Sequence, residues 1–170
     1  MQKRRTVLGL IAASALLSGC GFHLRGAGKA TNFPFQRIYV NQPPNTQLGA
    51  DFRRQLAPYE GLTIVESPQE AEVALYILSE SRDNVVLTRN SQGRVREYDL
   101  RYMMNYRITD GGGRELLPAS QVAINRTMSY NENAVLGKQV EESMLYRDMQ
   151  LDAIQQIIRR LALLPIGPRG

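Results

Sequence analysis

From Tyr98 to Ile108 every second residue is large and apolar: Tyr98, Leu100, Tyr102, Met104, Tyr106 and Ile108. Between them stand Asp99, Arg101, Met103, Asn105 and Arg107. Successive side chains of a strand point to opposite faces, so this period of two predicts one strand with a buried side and a wet side. A helix would scatter the same six residues around its circumference. The rest of the chain must therefore supply apolar cover for one face of this strand.

The neighbours extend the pattern. Val73, Leu75 and Ile77 alternate with Ala74, Tyr76 and Leu78, which predicts a strand covered on both sides. Asp83-Asn84 is expected to bulge it before Val85-Val86-Leu87-Thr88. Downstream, Val122, Ile124, Met128 and Tyr130 alternate with Ala123, Asn125, Thr127 and Ser129. Asn90-Ser91-Gln92-Gly93 and Asp110-Gly111-Gly112-Gly113 read as the turns between these strands. The triple glycine resembles a phosphate loop, but Asp110 and the flanking strands favour a hairpin. The result is a meander of unusually long strands, since twelve residues span about 40 Å. Tyr98, Tyr102 and Tyr106 are expected to lie in the core rather than to form a ligand platform.

Two helices are expected to provide the cover. Arg37–Val40 is a short strand ended by Pro43-Pro44, after which Asn45 or Thr46 caps a helix carrying Leu48, Phe52 and Leu56. Pro58 and Gly61 end it, and Leu62–Val65 is a second short strand. A longer helix runs from about Lys138 to Leu164. Its apolar stripe is Met144, Leu151, Ile154, Ile158 and Leu161, widened by Leu145 and Ile157, and Pro165 stops it. The predicted fold is an α/β (α+β) two-layer sandwich over residues 35–165. It is a mostly antiparallel meander with two helices on one face, and a β-α-β unit adds a parallel edge strand.

The start of the chain has another purpose. Lys3, Arg4 and Arg5 precede a charge-free apolar run, Val7 to Leu17, too short to span a bilayer. That is the form of a secretory signal peptide, residues 1–19. It ends in Leu17-Ser18-Gly19-Cys20, which resembles the lipobox of bacterial lipoproteins. In that class the cysteine sulfur is lipidated and cleavage leaves the cysteine as the first residue. A thioether is no nucleophile, so Cys20, the only cysteine, is expected to carry covalent lipid and no other cofactor. Residues 20–34 form the anchor and tether. Gly21 follows the cysteine where aspartate often marks inner-membrane retention in that class, which favours the outer membrane.

Charge and motifs narrow the function. The chain holds 21 Lys and Arg against 16 Asp and Glu. Removing residues 1–19, which carry three cations and no acid, leaves 18 against 16, or +2. Neither that balance nor export suits nucleic acid. The single histidine, His23, has no second His to join it and its one Cys neighbour, Cys20, is expected to be lipidated, so no metal site is expected. No nucleophile elbow or P-loop spacing occurs, so the chain reads as a non-enzyme. The notable cluster is Arg89, Arg94, Arg96 and Arg101 around the Asn90–Gly93 turn. Glu97 and Asp99 could make it an ordinary solvated strand end. As a site it suits an anionic ligand, because guanidinium matches phosphate bidentately. Arg94 and Arg96 are expected on one side, aided by Arg89 across the turn, with Arg101 on the other.

The heptapeptide Cys20-Gly21-Phe22-His23-Leu24-Arg25-Gly26 resembles the mature start of the LPS-assembly lipoprotein LptE (RlpB) family. Ala71-Glu72-Val73-Ala74-Leu75-Tyr76-Ile77 is similar to that family's pattern before its first long strand. The resemblance implies an outer-membrane lipoprotein facing the periplasm and a barrel lumen. It would partner the β-barrel LptD as a plug and deliver lipopolysaccharide to the outer leaflet. The alternative is a lipid-binding or shuttle lipoprotein acting without a barrel. The polar strand face of Asp99, Arg101, Asn105 and Arg107 suits a polar lumen.

Cys20→Ser is expected to leave uncleaved precursor or to release the body into the soluble fraction. Fractionation and an acylation assay check this, and normal lipidation of the variant would refute the lipobox reading.

Overall fold

The computed structural model describes residues 33–166. The signal peptide, Cys20, His23, the Cys20–Gly26 heptapeptide and most of the tether lie outside them. The chain runs β1 (Arg37–Val40), α1 (Gln47–Leu56), β2 (Thr63–Val65), β3 (Val73–Arg89), β4 (Val95–Asp110), β5 (Glu115–Ser129) and α2 (Val135–Leu161). One sheet holds the strands in the order β2-β1-β3-β4-β5. β2 and β3 both pair with β1 in parallel, whereas β3, β4 and β5 form the antiparallel meander. The α+β sandwich, the parallel edge strand and the long meander all agree with the sequence expectation.

β4 alternates as its sequence requires. Leu100, Tyr102, Met104, Tyr106 and Ile108 are fully buried, while Arg101 and Arg107 are exposed. α2 crosses this buried face and presents Tyr146, Met149, Ala153, Ile154, Ile157, Ile158 and Leu161. Leu48, Phe52 and Leu56 of α1 extend the same core over Ile38, Val73 and Leu75. The Thr46 side chain caps α1 by accepting the Gly49 N–H at 3.1 Å. Each buried side chain of this size contributes about 1.5–3 kcal/mol relative to exposure.

A buried ion pair, which hydrophobic periodicity does not announce, joins the helices. The Asp51 carboxylate of α1 is wholly buried and accepts from Arg147 of α2, with Arg147 Nη2 at 2.6 Å from Oδ1. Arg54 and Gln47 also donate to it. Burial pushes the Asp51 carboxyl up, but the donors from Arg147, Gln47 and Arg54 outweigh it and hold the group below its ordinary value.

Four expectations need correction. The bulge in β3 falls at Leu78, with a second irregularity near Leu87, and not at Asp83-Asn84, which pair regularly with Arg101 and Leu100. The bulge sits where β3 loses its other neighbour. The Asn41 side chain takes the N–H and C=O of Ile77, at 2.8 and 3.1 Å, and so ends the β1 pairing just before Leu78. Secondly, the extra residue reverses the faces. Leu75 and Ile77 lie opposite Ile108 and Tyr106, but Glu80, Arg82 and Asn84 lie opposite Met104, Tyr102 and Leu100. Double-sided cover therefore holds only for Val73 to Leu75, and Leu78 is half exposed. Thirdly, α2 starts and ends three residues earlier than expected, after a short turn at Glu132–Ala134. Fourthly, Met144 leaves the buried stripe and is 64% exposed, because it belongs to the row Leu136, Val140, Met144, Arg147, which meets α1 only as far along as Arg147.

The two tyrosines at the centre of β4 are core, as expected. Tyr106 accepts from Arg160 at 2.8 Å. The Tyr102 hydroxyl is buried without a hydrogen-bond partner among the described residues. Burial, followed by the nearby charge of Glu80, pushes its pKa well up.

Tyr102→Asp is expected to cost more than about 3 kcal/mol, because it buries an unpaired charge. Arg107→Asp loses a guanidinium stacked on Tyr76 at 5.1 Å, for a cost of about 0.5–1 kcal/mol. Thermal unfolding compares them, and equal midpoints would contradict this register.

Candidate functional site

The two hairpin turns of the meander share one construction. In Asn90–Arg94 the Asn90 N–H donates to the Arg94 carbonyl at 2.9 Å, and Gly93 N–H donates to the Asn90 carbonyl at 2.9 Å. The Asn90 side-chain oxygen accepts from the N–H groups of Gln92 and Arg94, at 3.0 and 2.9 Å. Asp110 repeats these contacts with Gly112 and Arg114, at 3.0 and 2.8 Å. Gly93 and Gly113 supply the positive φ values, 81° and 88°, that a three-residue hairpin loop needs at this position. The Arg114 backbone N–H holds the Asp110 carboxyl below its ordinary value. Gly111–Gly113 is thus a hairpin turn, as its flanking strands imply.

These turns lie at opposite ends of β4, whose sixteen residues span about 50 Å. The Asp110–Arg114 end also holds Phe33, the first described residue. There a cleft of about 780 Å³ is bordered by Phe33, Arg37, Glu72, Asp110, Arg114 and Ile166. Phe33 packs edge-on against Tyr59, with ring centres 4.9 Å apart. The described chain therefore begins at this end, and the arginine-rich turn stands at the other.

The structure divides the four arginines. Arg94 and Arg96 border one small polar cleft of about 210 Å³, together with Asn90, Tyr130, Asn131 and Glu132. Arg94 lies 3.6 Å from the Glu132 carboxylate, both side chains being more than half exposed. Arg96 is exposed and has no ion-pair partner among the described residues. Its carbonyl accepts the Tyr130 N–H at 2.7 Å, and the Tyr130 ring stacks edge-on against Tyr98, which fixes the cleft floor. Arg89 reaches around the turn and donates to the Gly93 carbonyl at 2.9 Å, outside that cleft. Arg101 points to the opposite sheet face, where its Nε donates to Asp99 at 2.8 Å. Thus Arg94 and Arg96 come together, Arg101 is paired elsewhere, and Arg89, expected to aid the pair across the turn, instead braces the turn through the Gly93 carbonyl.

Sequence periodicity did not point to the second wall of the cleft. Asn131 accepts the Asn133 N–H at 3.0 Å, and Glu132–Ala134 leads into α2. The helix has no side-chain hydrogen bond at its N-cap, Ala134. Its positive dipole end therefore adds to the field of the arginines near the tip. The chemistry available is binding of an anion by two guanidinium groups on a rigid turn. Among the described residues no cluster of His, Cys, Asp or Glu could hold a metal ion, and no helix is long and apolar enough to cross a membrane.

The outer sheet face away from the helices carries a polar network, with Met103 and Val85 among it. Asp99 accepts from Arg101 and Asn125, while Asn105 joins Ser79 and Gln121 through bonds of 2.8 and 3.1 Å. This network spans β3, β4 and β5.

Comparison with known proteins gives a consistent result. The model of the LptE family, described as lipopolysaccharide-assembly, matches residues 35–161. The LPS-assembly lipoprotein LptE of Yersinia enterocolitica is 31% identical over 163 residues, which cover 93% of this chain and 76% of that protein. The LptE of Pectobacterium atrosepticum is 27% identical, covering 95% and 86%. The solution structure of lipoprotein B from Nitrosomonas europaea superposes with a TM-score of 0.70 at 32% identity, covering 84% of this chain and 90% of that one. Rare lipoprotein B from Shewanella oneidensis, 20% identical, shares the fold with a TM-score of 0.65 over 74% and 93%.

Proposed function

The chain belongs to the LptE lipopolysaccharide-assembly family, and on that premise we propose that it is a lipid-anchored outer-membrane protein that partners an LptD-type β-barrel and helps deliver lipopolysaccharide to the outer leaflet. The observation that carries this reading is the family match across nearly the whole folded body, residues 35–161. The body acts as a binding and assembly element and not as an enzyme. Cys20 carries the lipid, and the polar outer face of β3, β4 and β5 meets the polar wall of the barrel lumen.

The arginine cleft is the contact with lipopolysaccharide. Arg94 and Arg96 face one space at the end of the sheet farthest from Phe33. The phosphates of the lipid A region are bidentate acceptors for guanidinium. An exposed pair such as Arg94–Glu132 contributes only about 0–1 kcal/mol, so a phosphate can displace the carboxylate. Arg89 supports the turn, and Arg101 contributes to the outer face.

The test uses Arg94→Glu combined with Arg96→Glu. This variant is expected to bind purified lipopolysaccharide at least tenfold more weakly, with a loss that shrinks at high salt as screening grows. It should still co-purify in stoichiometric amounts with a large outer-membrane barrel. Wild-type lipopolysaccharide affinity in the variant would reduce the cluster to a solvated strand end. Absence of any barrel in preparations of the wild type would favour a lipid shuttle.

A further inference from the structure

One flank of α2 has no role in the fold. Leu136, Val140 and Met144 stand at i, i+4 and i+8, so they form one row along the helix. They are 80%, 60% and 64% exposed. The opposite row of the same segment, Lys138, Glu142 and Tyr146, faces the sheet. Lys138 donates to Ser129 of β5 at 3.1 Å, Glu142 accepts from Asn84 of β3 at 2.9 Å, and Tyr146 donates to the Asp83 carbonyl at 2.6 Å. Along the same row the next position is Arg147, where Asp51 of α1 makes contact. α1 covers the C-terminal continuation of this row and leaves its first part open.

The position of the row indicates what covers it. Glu132, which pairs with Arg94 in the cationic cleft, precedes Leu136 by four residues. From Leu136 to Met144 the row extends about 12 Å along the helix axis. A cationic cleft at one end of an apolar track is the complement of an amphiphile, with an anionic head at the arginines and a chain laid along α2. A polar barrel wall would leave the track without an apolar partner.

We propose that Leu136, Val140 and Met144 form an acyl-chain subsite for the same lipopolysaccharide molecule whose phosphate is held by Arg94 and Arg96. This rests on the phosphate reading of the cleft and assigns the fatty chains to a separate surface. The ligand recognised is then a single acylated, phosphorylated glycolipid rather than its sugar-phosphate head alone.

The experiment measures binding of two probes to the purified full-chain lipoprotein held in amphipol. One is intact lipopolysaccharide and the other is the same material fully deacylated, leaving the phosphorylated oligosaccharide. The triple variant Leu136→Ser, Val140→Ser and Met144→Ser should unfold at the wild-type temperature, because these side chains are exposed. It should bind intact lipopolysaccharide at least tenfold more weakly and the deacylated probe as wild type does. Equal wild-type and variant affinities for the intact lipid would overturn the proposal, as would a parallel loss for both probes. Loss of barrel co-purification with lipid affinity retained would assign the row to the barrel instead. Loss of binding to phosphatidylglycerol vesicles alone would assign it to a membrane surface. The phosphate reading fails separately, if Arg94→Glu with Arg96→Glu leaves binding of the deacylated probe unchanged.

Discussion

The half-buried register of β4 is the constraint from which the other elements take their places. Its core side, Leu100 to Ile108, is wholly buried, and its other side carries Asp99, Arg101, Asn105 and Arg107. Such a strand needs paired neighbours for its backbone and an apolar layer over one face. β3 and β5 supply the pairing, and α2 supplies the layer over most of its length. The meander is much longer than β1, β2 and α1, so those elements complete only one end. The asymmetry gives the molecule a fully built end beside Phe33 and a projecting end at Asn90–Arg94.

The cover is held at its joint by an ion pair rather than by hydrocarbon alone. Asp51 is wholly buried between α1 and α2, with Arg147, Arg54 and Gln47 as donors. A buried carboxylate is costly without partners, and here its donors Arg147 and Arg54 keep part of their side chains in water. The pair also marks where the α1 cover ends along α2. Beyond Arg147 toward the tip, the same row of α2 is Met144, Val140 and Leu136, open to solvent. The helix-packing flank and the proposed acyl track are therefore one row with two occupants.

Much of this was legible in the sequence where a local rule acts alone. Period two in β4, Thr46 before Leu48, and an Asx residue three before glycine at both turns each name their structure directly. The bulge at Leu78 was not legible: it falls where the β1 pairing ends, at a contact between Asn41 and Ile77 across 36 residues. Local reading placed it instead at the polar pair Asp83-Asn84. Met144 was misplaced for a related reason: a helix shows which residues share a row but not how far its neighbour extends along that row. At the site, alternation correctly separated Arg101 from Arg94 and Arg96. The partners Glu132 and Tyr130 come from the segment after β5, and no short-range pattern links them to the Asn90 turn.

Lipopolysaccharide is expected to meet the projecting tip at Asn90–Arg94 and not the opposite end beside Phe33. Photo-crosslinking in living cells tests this directly, with a light-activated residue replacing Gln92 at the tip or Gly112 at the opposite turn. Lipopolysaccharide should be captured from position 92 and not from position 112. Capture from position 112 alone, or from neither position in cells that are exporting lipopolysaccharide, would contradict it.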